Sequence, residues 1–309
     1  MQLVSAIAPV LLIAALGYVL SRFRFLNKEG EANLNSLVFS ILIPALLFNG
    51  ILKAELVGFN YAAYLAAYFF PLILLFCLAL VVLRCLKVKG KARSILAMSS
   101  VYGNVTVIGI PVCLHFLGDE ALLPMSIIIS VHNFILFSLA TVAAESDGMK
   151  PGRVFIQIKN IALSLFKNPI TMSLLCGLAL NAMGFHLPLI VDNALALLSE
   201  AAVPLSFLVL GATLSHFSLR GALLQASILS LAKLLLLPTA IYLSASQLWG
   251  IEGLWLQTAV MIAAMPVGVS TQVIARRYQN SEALVASTII WSTLLSLLTL
   301  SLAMHFLQA

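Results

Sequence analysis

Gly103-Asn104-Val105-Thr106-Val107-Ile108-Gly109-Ile110-Pro111 and Ala264-Met265-Pro266-Val267-Gly268-Val269-Ser270-Thr271-Gln272 interrupt two long apolar runs with the same ingredients. Each stretch sets glycine, proline and amide or hydroxyl residues near the middle of its run. Proline removes a backbone donor and clashes with the carbonyl four residues back. Freed polar groups are costly in lipid, so such a break persists only where protein buries it or it lines a cavity. The two stretches predict either discontinuous helices or ordinary proline-kinked ones. Their matching places in the two halves of the chain favour discontinuous helices.

The surrounding composition supplies the lipid. Of 309 residues, 62% are hydrophobic and 9% are charged, against about 25% charged in a soluble domain. That excludes a soluble enzyme, a nucleic-acid binder and a disordered chain. The apolar runs are continuous rather than alternating, which excludes a β-barrel. A helix needs about 20 apolar residues to cross the hydrocarbon core. Ten segments qualify, near residues 3–21, 33–52, 61–83, 95–117, 121–144, 169–184, 189–214, 221–248, 253–275 and 282–307, numbered here spans 1 to 10. No basic residue precedes Leu3, so the first segment is expected to be a span and not a signal peptide. Cys77, Cys85, Cys113 and Cys176 form no CxxC pair and read as small buried hydrophobes.

Basic residues set the orientation. With the N-terminus outside, cytoplasmic loops carry Arg22, Arg24 and Lys28; Arg84, Lys87, Lys89, Lys91 and Arg93; Lys150, Arg153, Lys159 and Lys167; Arg220; Arg276 and Arg277. External loops carry Lys53 alone, and Lys233 lies within span 8. This asymmetry predicts ten spans with both termini outside the cytoplasm.

The loop at 145–168 divides the spans five and five, so the second half enters from the opposite side, as in an inverted repeat. Pro9 and Pro169, Gly17 and Gly177, and Pro44 and Pro204 pair in order along the two halves; Pro71 with Pro238 and Pro111 with Pro266 continue the series. The predicted organisation is a first repeat at 1–144, a cytoplasmic connector at 145–168 and a second repeat at 169–309. In the connector, Val154, Ile158, Ile161 and Leu165 share one helical face and Arg153, Gln157, Asn160, Ser164 and Lys167 the other. This predicts an amphipathic helix on the cytoplasmic leaflet.

In the discontinuous reading, spans 4 and 9 cross at the midplane. Pro111 and Pro266 are expected to start the second half-helices, whose N-terminal ends, each worth about +0.5 charge, suit an anion. The candidate binding residues are Asn104, Thr106, Gly109 and Pro111 from span 4, with Pro266, Ser270, Thr271 and Gln272 from span 9. Glu200 and Lys233 are charges within spans 7 and 8, and such charges are functional candidates by default. Lys233 has three possible partners: Glu200, a substrate anion, or carbonyls exposed by the break in span 9. The repeat counterparts of this pair, near Ser40 and Ala66, are uncharged. His132, beside Asn133 in span 5, reads either as a packed histidine bonded to a carbonyl or as a proton-coupling group. His115, Asn49 and Asn181 fall at external span ends and read as surface or interfacial residues. Trp249 and Trp255 fit an aromatic belt.

Several of these motifs resemble the auxin efflux carrier family of bacterial transporters. The resemblance rests on Ala8-Pro9-Val10 to Gly17-Tyr18, Leu42-Ile43-Pro44-Ala45-Leu46-Leu47-Phe48, Gly103-Asn104 with Gly109-Ile110-Pro111, Pro204 through Leu210-Gly211-Ala212-Thr213-Leu214, Lys233 with Pro238, and Ala263-Ala264-Met265-Pro266. It covers nearly the whole chain. It implies a secondary transporter of organic anions, such as malate or malonate, in a bacterial plasma membrane. It also implies the crossover fold of bile-acid sodium symporters, with spans 1, 2, 6 and 7 as a scaffold and spans 3–5 and 8–10 as a moving transport domain. A homodimer through the scaffold is a further expectation.

The fold expected is thus an all-α polytopic membrane protein, ten helices in a five-plus-five inverted repeat with broken helices 4 and 9. The function expected is a carrier for a small organic anion. No cofactor is expected, and the coupling ion, proton or sodium, stays open. A cation/proton antiporter is the runner-up, but it usually needs carboxylates beside the broken helices, which spans 4, 5 and 9 lack. A channel or sensor fits two midplane breaks less well. No HExxH, paired aspartate or GxxxxGK[ST] motif supports an intramembrane enzyme or an ATP-driven pump.

Overall fold

The computed structural model describes residues 2–56, 60–145, 151–215 and 223–308. Lys150 and Arg220, and the side chains of Arg153, Val154 and Leu165, lie outside what it describes. The described residues are mostly helical, with no β-strand among them beyond one isolated bridge. Among the described residues, five helices are long and apolar enough to cross a membrane: Lys28–Leu52, Tyr61–Cys85, Asp119–Glu145, Leu189–Thr213 and Leu223–Leu248. Two bent pairs, Phe155–Ser164 with Pro169–Ala182 and Glu282–Ser296 with Leu298–Leu307, bring the number to seven if each is one span. Leu12–Arg22, Val105–Leu117 and Gly253–Ala263 are shorter apolar helices. Spans 4 and 9 contribute only such short pieces because glycine and proline cut them. The protein is a multi-pass membrane protein.

Proline shapes the long helices in a specific way. A π-helical turn at Val38–Leu42 comes just before Ile43-Pro44, another at Val105–Gly109 before Ile110-Pro111, and a third at Ala232–Leu236 before Leu237-Pro238. Proline has no N–H for the carbonyl four residues back, and its ring pushes against that carbonyl. Widening the turn lets the preceding residue bond one position further back, as Ile43 N–H does to Val38 O. Pro71 and Pro204 instead sit inside continuous helices.

The chain forms two compact units, each drawn from both sequence halves. The first comprises Met1–Phe59, Thr106–Ser130 and Leu165–Phe217. Within it, Gln2–Arg22 packs along Leu189–Leu214, and Ile43–Leu52 along Pro169–Ala182. Glycine permits both close approaches. A β-carbon on Gly17 would collide with the Leu208 carbonyl, and one on Gly177 would come within 3.1 Å of the Phe48 carbonyl. On the other side of the first pair, Gly211 faces the Ala14 carbonyl just as closely. Asn181, expected to be merely interfacial, has its Nδ2 2.8 Å from each of the carbonyls of Ile51, Leu52 and Ala54, shares its two N–H donors among them, and so caps Ile43–Leu52. Lys53 pairs with Asp192 at 2.5 Å.

The second unit comprises Asn60–Val105, Val131–Ser164 and Ser218–Ala309. Here Leu223–Leu231 packs on Glu282–Gln308, and Leu237–Leu243 on Gly253–Ala263 and Tyr61–Cys85. Trp255 meets Tyr64 edge-on at 4.9 Å, so its ring packs inside this unit. Helix Pro151–Leu165 turns Gln157, Ile158 and Ile161 inward while Phe155, Ile156 and Lys159 are exposed, and Arg277 donates to Gln157 Oε1 at 2.9 Å.

Two expectations change. The second half of span 4 and the start of span 5 group with the first unit, not with spans 3, 8, 9 and 10. Ile110–Leu117 packs there on Leu189–Leu214, and Leu122 fills the space over Gly50. Among the cysteines, Cys113 is buried, but Cys77, Cys85 and Cys176 are exposed on outward helix faces. An apolar thiol on such a face is as well placed as a core one when the surroundings are lipid.

Candidate functional site

The two quoted stretches meet within the second unit, backbone to backbone. Helix Gly90–Ser99 ends, and residues 102–104 run antiparallel to residues 266–268. Asn104 N–H donates to the Pro266 carbonyl at 2.8 Å, and Gly268 N–H to the Tyr102 carbonyl at 3.0 Å. Gly103 and Val267 form the bridge between them. Val267 N–H donates to Ser292 Oγ at 3.0 Å. Backbone groups released by the breaks thus find partners, as buried ones must. Glycine at 268 is required by proximity: a β-carbon there would run into the Tyr102 ring.

Neither proline starts a half-helix, contrary to expectation. In span 4 the chain resumes its helix at Val105, directly after the crossing, and Pro111 is the second residue of Ile110–Leu117 beyond a π-helical turn. In span 9, Pro266 is part of the extended crossing, where its missing N–H costs nothing and its carbonyl serves Asn104. The second half-helix there begins at Ser270. The Thr271 and Gln272 N–H groups already bond the carbonyls of Gly268 and Val269, both at 3.0 Å. The start of this half-helix is therefore a tight, partly satisfied turn and not an open N-terminus.

Asn104, Pro266, Ser270, Thr271 and Gln272 all belong to the second unit around this crossing. Asn104 is buried, and Ser270 interacts with the Tyr102 hydroxyl. Thr271 is fully buried with its Oγ1 unpartnered, and Gln272 Oε1 is likewise unpartnered. Thr106, Gly109 and Pro111 fall in the first unit.

Lys233 is fully buried in the π-helical turn of span 8. Its ammonium donates to the Ala263 carbonyl at 2.5 Å. Ala263 is the last residue of Gly253–Ala263, so the cation sits at the negative end of a helix dipole, just before the break. Of the three partners weighed for Lys233, a carbonyl at the break is the one it touches. Glu200 is exposed in the first unit, lining a cavity of about 530 Å³ with Asn49, Lys53, Asp119 and Ser199. His115 is exposed, as expected of a helix end. His132 is fully buried in the second unit.

Three participants escaped the sequence reading. The Tyr102 hydroxyl donates to Asn133 Oδ1 at 2.7 Å and braces the crossing against span 5. Its position directly before Gly103 was the available signal. Asn133 was visible only as a polar neighbour of His132. Ser292 is one of many hydroxyls in span 10, and nothing in the sequence marks it.

Comparison with known proteins places the chain among membrane transporters. Residues 2–304 match a family described as membrane transport protein. A Rhizobium meliloti protein named "Putative malonate transporter" is 24% identical over 311 residues, covering 100% of this chain and 97% of its own. An uncharacterized transporter of Methanocaldococcus jannaschii is 28% identical over 305 residues, covering 95% of each chain. An auxin efflux carrier component of Oryza sativa is 29% identical over 156 residues, 48% of this chain and 25% of that protein. The chain belongs to the membrane transport protein family, that of the auxin efflux carriers its motifs resemble.

Proposed function

We propose that this protein is a secondary carrier for a small organic anion, a carboxylate of the malate or malonate kind. The reading includes ten spans in two inverted repeats, 1–144 and 169–309, joined by the connector at 145–168. Both termini face away from the cytoplasm of a bacterial cell, and transport proceeds by an elevator-like alternating access. The observation that carries the sign of the substrate is the buried charge. Among the described residues no Asp or Glu is buried, whereas Lys233 and His132 are, both in the unit that holds the crossing. A dry compartment with basic side chains and no carboxylate suits an anion. A cation/proton antiporter would need the opposite.

The crossing offers the rest of a pocket. Asn104, Ser270, Thr271 and Gln272 carry polar side chains on or directly after a backbone whose groups bond one another. Thr271 Oγ1 and Gln272 Oε1 have no partner among the described residues. The full-length relative named for malonate supports a dicarboxylate.

The test is uptake into proteoliposomes of labelled malonate, malate and monocarboxylates, with and without pH and sodium gradients. Saturable uptake of a carboxylate is expected. Asn104→Ala and Gln272→Ala should each weaken binding about tenfold or more, the worth of a hydrogen bond to a charged ligand. Uptake of none of these anions would sink the carrier reading. Unchanged binding in both variants would move the pocket away from the crossing.

A further inference from the structure

His132 has an unusual environment for a packed histidine. It lies on Leu122–Glu145, fully enclosed, and neither Nδ1 nor Nε2 has a hydrogen-bond partner among the described residues. Three aromatic rings stand around it instead: Tyr102 at 5.3 Å between centroids, and Tyr68 and Phe69 at 6.1 Å each. A buried polar group without a partner calls for an explanation. The rings of Tyr68, Phe69 and Tyr102 stand tilted to the imidazole at 57°, 48° and 47°, and aromatic rings within about 6 Å attract a cation that lies over their faces.

The same ring ties His132 to the crossing. Tyr102 is part of it, and the Tyr102 hydroxyl is held by Asn133, the next residue after His132. Gly103 follows, and a β-carbon on it would stand 3.3 Å from the Lys233 ammonium. Among the described residues, the ionisable groups around His132 are Tyr68 from Tyr61–Cys85 and Tyr102 from the crossing, with Lys233 of span 8 beyond Gly103. None of them is a carboxylate. A carboxylate bound at the crossing would bring the imidazole a negative charge that none of these neighbours supplies, and so favour its protonated form.

We propose that His132 is the proton-coupling group of the carrier: it takes up one proton when the anion binds at the crossing, and releases it when the anion leaves. This rests on the carrier reading above. In each cycle one proton from solution bonds to an imidazole nitrogen of His132 and is returned to the solution that receives the anion. No electron moves and no covalent bond to the substrate forms. By linkage, protonation must strengthen anion binding by the same factor that anion binding strengthens protonation.

The experiment is calorimetric titration of the purified full chain with malonate, in buffers of different ionisation enthalpy. The range runs from about pH 7 to about pH 8.5, where malonate carries both charges and cannot itself supply the proton change. Wild type should take up a proton on binding, and its affinity should fall by up to about tenfold per pH unit at the alkaline end. His132→Asn, with His132→Gln as a second variant, should bind malonate with no proton uptake and an affinity independent of pH. Wild-type binding without proton uptake overturns the proposal, whether or not the variants fold. So does proton uptake that persists in either variant. If wild type binds none of malonate, malate or a monocarboxylate at any pH, the carrier reading fails and this inference fails with it.

Discussion

Gly268 stands so close to the ring of Tyr102 that a β-carbon on it would meet Cε1 and Cδ1 in a hard clash. The ring cannot swing away freely, because its hydroxyl is bonded to Asn133 and the His132 ring stands 5.3 Å from it. Gly268→Ala should therefore destabilise the protein by about 1–3 kcal/mol, the usual cost of overpacking. At Gly103 the added carbon would meet the far end of the Lys233 side chain, at 3.3 and 3.4 Å. That end can shift, so Gly103→Ala should cost less. Thermal unfolding of both variants in the same detergent checks the order, and equal losses would contradict it.

The crossing depends on a hydroxyl from span 10. Ser292→Ala leaves the Val267 N–H buried without its acceptor. The expected loss is about 1–3 kcal/mol, the desolvation cost of an orphaned donor. Ser296→Ala, at another buried serine of the same helix whose hydroxyl bonds only the Thr293 carbonyl one turn back, provides the comparison. A similar loss at both positions would mean that the Val267 bond carries nothing special.

Lys233 and Glu200 should act independently. Lys233 is buried on the Ala263 carbonyl, whereas Glu200 is exposed beside a cavity that also holds Lys53. Lys233→Met should lower stability or transport by the same factor in the wild-type and the Glu200→Gln backgrounds. A double-mutant cycle measures this directly. A coupling energy above about 0.5 kcal/mol would restore the ion pair between them.

The first unit has its own sensitive contact. Gly211 faces the Ala14 carbonyl with no room for a methyl group, and Gly17 faces Leu208 in the same way. In both cases the obstacle is backbone, which cannot rotate out of the way. Gly211→Ala should lower the yield of folded protein more than Ala196→Gly on the same helix, where a half-buried methyl is merely removed. Gel filtration and thermal unfolding report the difference.

Orientation is testable without any substrate. After the native cysteines are replaced, a cysteine at Gly90 should be shielded from an impermeant thiol reagent in intact cells. One at Gly118, an exposed residue, should be labelled. The opposite pattern would invert the orientation argued from the basic loops.

The places where spans 4 and 9 break were legible, because glycine and proline inside an apolar run have few other uses. How the chain passes through each break was not. The reading put Pro111 and Pro266 at helix starts, where proline is best tolerated. The structure uses a π-helical turn for Pro111 and an extended segment for Pro266. Both choices depend on neighbours distant in sequence, such as Tyr102 for Gly268 and Ser292 for Val267. The pairing of Gly17 with Gly177 was legible as a repeat, and the structure gives it a shared job. Gly17 lies under Leu208 and Gly177 under Phe48, and one sequence offset relates both members of the two contacts. The same offset relates Pro44 to Pro204, yet only Pro44 has a π-helical turn before it. Local backbone choices thus differ between halves that share their pattern of residues. Lys233 was legible as important but not as a cap on Ala263, since three partners satisfied the same sequence argument.

The π-helical turns before Pro44, Pro111 and Pro238 have a consequence for how relatives of this chain should be aligned. Each such turn holds one residue more than an α-helical turn would, so it behaves as an insertion absorbed inside a helix. A relative without the proline can lose that residue locally and keep every later side chain on its original face. The same deletion elsewhere in the span would rotate everything beyond it by about 100°. Single-residue gaps within these spans should therefore gather at residues 38–42, 105–109 and 232–236, and should coincide with loss of the proline that follows.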